Sequence, residues 1–359
     1  MNEMLRCLKF CVITCMKFSK MNYYYLTTIA VLLIFSISCT KINKFPKRKE
    51  AILSETVVNF SAMNSQYDDY NSASPIEGDS YPLVFSSNRN SQGNNYDFIY
   101  KLAETYFNVY TGKWIIGEHT RANEDVWAAN ANINGALNLI NTGANELGPF
   151  LIPKGKGYYS NGTGYTRFQN YIFMYATDAG GQLDIKFTHN LENNTYVAPQ
   201  TVSFLNSAQN DAYPFVTSDS SAIYFCSDRD GNFDIYRAEF PNSGDLLSRL
   251  SSTGNVTITK VPELSSSYDD KCPFIFGNTM VFTSNRSGGK GGYDLYYSTL
   301  QNGKWSTPAN FGDKINTQHD EYRPIIKDLY FRNIMLLFSS NRTGGKGGFD
   351  LYFAGINRF

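Results

Sequence analysis

Neighbouring carboxylates are the residues of this chain with the most evident capacity for chemistry. Asp68-Asp69, Asp269-Asp270 and Asp320-Glu321 stand as pairs, and Glu146 and Asp211 occupy matching places with an asparagine in front of them. Two carboxyl groups, one protonated and one ionised, are the basis of general acid–base and glycosidic-bond chemistry. A second set, Asp97, Asp184, Asp234, Asp294 and Asp350, follows glycine-containing turns, and Arg89, Arg229, Arg286 and Arg342 sit directly behind Ser-Asn or Ser-Asp. Nothing calls for a metal or a cofactor. His119, His189 and His319 are scattered, and neither His-Glu-x-x-His nor Gly-x-Ser-x-Gly occurs. Gly-Gly-Lys-Gly-Gly at 288–292 and 344–348 has no helix behind it and reads as a turn rather than a phosphate loop.

The elements that must position these residues are repeats. The ten residues from Met63 to Ser72 return without gaps at Ile140–Pro149, Leu205–Pro214, Leu264–Pro273 and Ile315–Pro324. The pattern is apolar, Asn/Ser, Ser/Thr, two variable positions, Asp/Asn, Asp/Glu, then usually proline three further on. After each copy comes an apolar strand, Ser-Asn/Asp-Arg, a glycine-containing turn and aromatic-Asp-Ile/Leu. The second copy is degenerate: Thr177-Asp178-Ala179 lacks the arginine. Each unit holds four short β-rich runs divided by turn residues, which is the composition of a propeller blade.

The anchors Asn64, Asn141, Asn206, Ser265 and Asn316 lie 77, 65, 59 and 51 residues apart, and none of these gaps holds two blades. The fold expected is all-β, a single five-bladed β-propeller with four antiparallel strands per blade. The last unit ends after its third strand, while Val57-Val58-Asn59-Phe60 matches Ala309-Asn310-Phe311 in register. The N-terminal strand is therefore expected to complete the last blade and close the ring. The motif Ser-Asn-Arg-x-Gly-Gly followed by Tyr/Phe-Asp-Leu-Tyr, clearest at Ser284–Tyr296 and Ser340–Tyr352, resembles the TolB-type, WD-like repeat of bacterial envelope proteins. The resemblance covers about residues 57–359. It implies a propeller, with a six-bladed count as the alternative, engaged in binding and assembly in the envelope, and it carries over no catalytic residues.

A residue needed in every blade answers a need that every blade has, so both sets of acids read as structural. The aspartates at 97, 184, 234, 294 and 350 are expected to bind the amides of their turns, and the arginines to pair with acids. The competing reading is catalytic, since some five-bladed propellers are glycosidases with two or three central acids. Function is sought where the copies differ. About 101–131 and about 151–170 are insertions rich in aromatics, and strand alternation puts both on one face, opposite the acid pairs. Trp114, Trp127, Tyr158, Tyr159 and Tyr165 are the ligand-binding candidates.

Composition supports an ordered β protein. Lys+Arg and Asp+Glu are 32 each, so a nucleic-acid partner has no basic surplus to use, and 26 Tyr and 26 Phe exclude a disordered chain. Tyr23–Ser38 is an uncharged, mostly apolar run, too short for a span, with Lys17 and Lys20 before it. Residues 1–38 read as a signal peptide. Met16 begins a signal start of its own, which reads 1–15 as untranslated upstream sequence and Cys7, Cys11 and Cys15 as without a role. Ile37-Ser38-Cys39 resembles a lipoprotein signal, with Cys39 lipidated and 39–53 a tether to a propeller at 54–359. Cys226 and Cys272 read as buried small hydrophobes.

These observations point to a non-enzymatic, lipid-anchored binding or scaffold module. Its expected partner is an envelope protein or a glycan or peptidoglycan-associated molecule. By the lipoprotein resemblance, Thr40 rather than Asp after Cys39 implies sorting to the outer membrane, with the protein facing the periplasm or the surface. The alternatives are a glycan-active enzyme with acids at the channel mouth, and a structural subunit of a secretion or uptake complex.

Overall fold

The computed structural model describes residues 47–74, 80–116, 127–155, 158–159, 166–167, 170–240, 244–252, 254 and 256–359. The leader, Cys39 and Tyr165 lie outside the described residues. Five antiparallel sheets, each led by one copy of the ten-residue repeat, settle the blade count at five. Blade one consists of Asp69–Ala73, Ser80–Ser87, Asp97–Asn108 and Lys113–Ile116. Blade two consists of Glu146–Lys154, Asn170–Thr177, Asp184–His189 and Gln200–Thr201. Blade three is Asp211–Val216, Ala222–Ser227, Asp234–Glu239 and Thr257–Lys260. Blade four is Asp270–Phe276, Thr279–Ser284 and Asp294–Gln301, edged by Lys304–Trp305 and Ala309–Asn310. Blade five is Glu321–Lys327, Ile334–Ser340 and Asp350–Ile356, and its outer strand is Val58–Asn59 from the other end of the chain.

The closure copies the joint inside the chain. Asn59 pairs with Tyr352 as Asn310 pairs with Tyr296. The Asn64 amide donates to Leu351 O and accepts from Leu351 N, and Asn316 does the same to Leu295. Asn141 and Asn206 clip Phe98 and Ile185 in the same way. The repeat asparagine is thus a clamp on the third strand of the neighbouring blade, whose amide would otherwise be buried without a partner. In the Gly-Gly-Lys-Gly-Gly turns, a Cβ on Gly291 or Gly347 would collide with the backbone oxygen of His319 or Tyr67 in the next blade. Only glycine allows that approach.

Apolar layers fill each gap between blades. Phe60, Met63 and Phe85 meet Leu337, Leu351 and Phe353 between blades one and five, and comparable clusters occupy the other four interfaces. The segment before Asn141 is a helix, Trp127–Ile140, here α1. Ile133, Ala136, Leu137 and Ile140 repeat at helical spacing and are buried with Phe98, Tyr171 and Phe173 between blades one and two. The region expected to be an aromatic insertion is therefore partly a long third strand and partly a core helix. In blade two, Tyr158–Tyr159 pairs with Thr166–Arg167 as a small hairpin between the first and second strands.

The innermost strands share one irregularity. In every blade the register slips after the strand's second residue. The bulged residue takes a positive φ: Asn71 55°, Gly148 60°, Tyr213 56°, Cys272 59° and Arg323 51°. A bulge re-aims side chains, and here five of them form one ring around the axis.

Candidate functional site

The two acids of each repeat have different surroundings. The second acid is buried at the base of its blade and held by the arginine of the Ser-Asn/Asp-Arg turn. Arg89 pairs with Asp69, Arg229 with Asp211 at 2.7 Å, Arg286 with Asp270 at 2.5 Å and Arg342 with Glu321 at 2.9 Å. Each guanidinium also donates to a repeat carbonyl, Met63, Leu205, Leu264 or Ile315. Blade two has Ala179 in place of the arginine. Among the described residues its Glu146 accepts from Thr142 and Thr177, and burial pushes its carboxyl up to about 7 against those hydrogen bonds.

Asp294 and Asp350 hold their own turns through backbone amides. Asp294 accepts from the amides of Lys290 and Gly291, and Asp350 from those of Lys346 and Gly347. Asp97 accepts from Asn90, and Asp234 pairs with Lys260. Asp184 approaches Gly180 in the equivalent turn.

The first acid of each repeat joins its blade to the preceding one. Its side-chain oxygen accepts the amide that opens the third strand of the preceding blade: Asp68 from Phe349, Asn145 from Tyr96, Asn210 from Leu183, Asp269 from Phe233 and Asp320 from Tyr293. This position is aspartate in blades four, five and one, and asparagine in blades two and three. The three carboxylates are half-buried, and their second oxygens meet further donors. Tyr96 Oη donates to Asp68 Oδ2 at 2.7 Å and Tyr293 Oη to Asp269 Oδ2 at 2.6 Å, with Lys271 Nζ 3.0 Å from the latter. Asn341 donates to Asp320 Oδ2 at 2.9 Å. The Tyr293 hydroxyl, Lys271 and the Phe233 amide hold Asp269 below the usual aspartate range although its burial opposes them.

Rings pave the floor between these acids. Tyr70 packs against Tyr96 with centroids 4.8 Å apart, and Tyr293 against Tyr322 at 5.3 Å, both edge to face. Tyr213 and Phe349 extend the cluster beneath. Burial raises the phenols of Tyr96 and Tyr293 well above 10, so they act as neutral donors to the carboxylates.

Of the residues expected to bind a ligand, the structure describes the side chain of Trp114 alone; those of Trp127, Tyr158, Tyr159 and Tyr165 lie outside the described residues. Trp114 lies in the apolar layer between blades one and five, edge-on to Phe353 at 5.5 Å with its indole nitrogen buried. Trp127 begins α1, and Tyr158 and Tyr159 lie on the blade-two hairpin. Cys226 and Cys272 are free and buried beside the axis, the latter pushed up to about 12 by burial. Among the described residues no group of His, Cys, Asp and Glu is arranged for a metal, and no helix is long and apolar enough to cross a membrane.

No family model and no curated protein matches the chain in sequence. Solved structures match it in fold. A thermostable family-43 glycoside hydrolase aligns with a TM-score of 0.48 at 11% identity, over 81% of this chain and 90% of that one. An alpha-L-arabinofuranosidase from Podospora anserina, in complex with cellotriose, aligns at 0.46 and 11%, over 87% and 99%. An endo-arabinase from Bacteroides thetaiotaomicron aligns at 0.45 and 13%, over 82% and 99%. These neighbours correct two expectations. They are described as glycoside hydrolases and related glycan-acting enzymes, and none is TolB-type. The expectation of a non-enzymatic scaffold, drawn from the repeat motif, finds no support in these neighbours. The likeness itself is one of fold, and the chemistry has to be argued from this chain's own residues.

Proposed function

We propose that the protein is a glycan-active enzyme whose reaction centre is the channel mouth, with Asp68, Asp269 and Asp320 as its carboxylates. The observation that carries this reading is the asymmetry of a single repeat position. All five residues there accept the same inter-blade amide. Asparagine meets that structural need in two blades, so the charge in the other three has a separate use. Cleavage of a glycosidic bond needs two carboxyl groups flanking it, one ionised and one carrying a proton. Asp269, kept ionised by its donors, suits the base or nucleophile, and Asp68 and Asp320 on the adjoining blades are the candidates for the acid. The half-buried tyrosines between them offer faces on which a sugar ring can stack.

In the same proposal the signal at Cys39 tethers the enzyme to the outer membrane, where envelope or environmental glycans are its substrates. The test is hydrolysis of a panel of polysaccharides by the wild type and by Asp68→Asn, Asp269→Asn and Asp320→Asn. Each variant keeps the oxygen that accepts the inter-blade amide, so it should fold. Turnover by the wild type and its loss in at least one variant supports the reading. A panel that the wild type neither binds nor cuts, or equal turnover by all four proteins, defeats it.

A further inference from the structure

Beneath the tyrosine floor, the ring of bulged residues brings a cation into the closed part of the channel. Arg323 is 2% exposed. Its Nη2 donates to Pro149 O across the axis at 3.0 Å, and the guanidinium lies 5.6 Å from the centre of the Tyr213 ring. Nε and Nη1 are buried and have no partner, and no carboxylate pairs with Arg323 among the described residues. The other four repeat-associated arginines each meet an acid at hydrogen-bond distance. On the neighbouring blade Asn71 and Ser72 are fully buried, and the Asn71 amide and the hydroxyls of Ser72 and Ser74 are also without partners.

Ser74, Arg323 and Lys327 line a cavity of about 30 Å³, with Phe150, Leu151 and Phe274 among the apolar walls. That is room for about two water-sized groups. An arginine is always charged, and a charge this deep needs a partner of opposite sign. Among the described residues that line this cavity there is no acid to meet the Arg323 guanidinium.

We propose that the axial cavity binds a small monovalent anion, a halide or a single carboxylate group, held by Nε and Nη1 of Arg323. The anion would act as a central pin, because the first strands of blades one, two, four and five all contribute to its cavity. The site is separate from the channel mouth and does not depend on the glycan reading.

Thermal unfolding of the full chain at constant ionic strength tests it, with sodium gluconate replaced stepwise by sodium chloride in one arm and by sodium formate in the other. A ligand bound only by the folded state raises the melting temperature saturably, by about 5 °C at a hundredfold excess over its Kd. The rise should occur in at least one arm, which tells halide from carboxylate, and should vanish in Arg323→Met. Should that variant fail to fold, a crystal of the wild type grown in sodium bromide or sodium formate decides. Bromide anomalous signal or formate density within hydrogen-bond distance of Arg323 Nε or Nη1 supports the site. A flat response in both arms, an equal response in Arg323→Met, or only water at the guanidinium overturns it.

Discussion

Replacing Asn64 with alanine should break the ring at its seam, and the size of the effect follows from three hydrogen bonds. The Asn64 side chain donates to Leu351 O and to Asn59 Oδ1, each at 3.0 Å, and accepts from Leu351 N at 2.8 Å. Leu351 is fully buried. After the change its carbonyl still accepts from Phe60 N, so only its amide is orphaned. An orphaned buried donor costs about 1–3 kcal/mol, and the two remaining bonds about 1 kcal/mol each at most. The sum is about 3 kcal/mol, a fall in melting temperature of about 6 °C for a domain of this size. Asn316→Ala removes the equivalent three bonds, two to the Leu295 backbone and one to Asn310 Oδ1, and the Leu295 carbonyl is likewise kept by Phe311 N. The two variants should therefore lose equal stability in denaturant. Hydrogen exchange should separate them. At the seam no covalent connection holds Val58–Asn59 in place, so Asn64→Ala should speed exchange at Val58–Asn59 and Asp350–Ile356 ahead of global unfolding. Asn316→Ala, inside the continuous chain, should leave that region as protected as the rest. A loss below about 1 kcal/mol in Asn64→Ala, or unchanged protection at the seam, would refute the clamp.

Two further outcomes are expected. Glu146 has a folded-state pKa near 7, above its ordinary 4.5, so the folded protein binds the extra proton and stability falls as pH rises between those values. The loss is on the order of 2 kcal/mol, complete above about pH 7. Glu146→Gln should remove it, and so should Ala179→Arg by restoring the ion pair of the other blades. Urea denaturation at pH 4.5 and pH 8 reads both, and a wild type equally stable at the two pH values relative to Glu146→Gln would contradict the assignment. Cys39→Ser should move the protein from the membrane fraction to the soluble fraction on cell fractionation. Retention in the membrane would remove the proposed lipid anchor.

Five blades and their closing strand were legible because the same polar residues return at the same places, and Asn59 matches Asn310 before any coordinate is known. The bulge was not, because Asn71, Gly148, Tyr213, Cys272 and Arg323 share no residue type. What they share is a backbone conformation, and the proline that follows four of them was its one trace in the sequence. The helix Trp127–Ile140 was legible in principle from Ile133, Leu137 and Ile140, but a reading organised by strand repeats passed over its period. The acids illustrate a third case. Their recurrence suggested a shared structural role, and their bonds to neighbouring amides fit that role. The alternation of aspartate with asparagine at that same position was visible too. It acquired weight only when the fold placed the three charged copies on contiguous blades.

The account stands or falls on Asp269. With a polysaccharide that the wild type cleaves, kcat should be measured for Asp269→Asn and, beside it, for Asn210→Asp at the equivalent position of blade three. The reading predicts a fall of about 10²–10⁴-fold in the first, at an unchanged melting temperature, and no change in the second. Equal kcat for wild type and Asp269→Asn would contradict it.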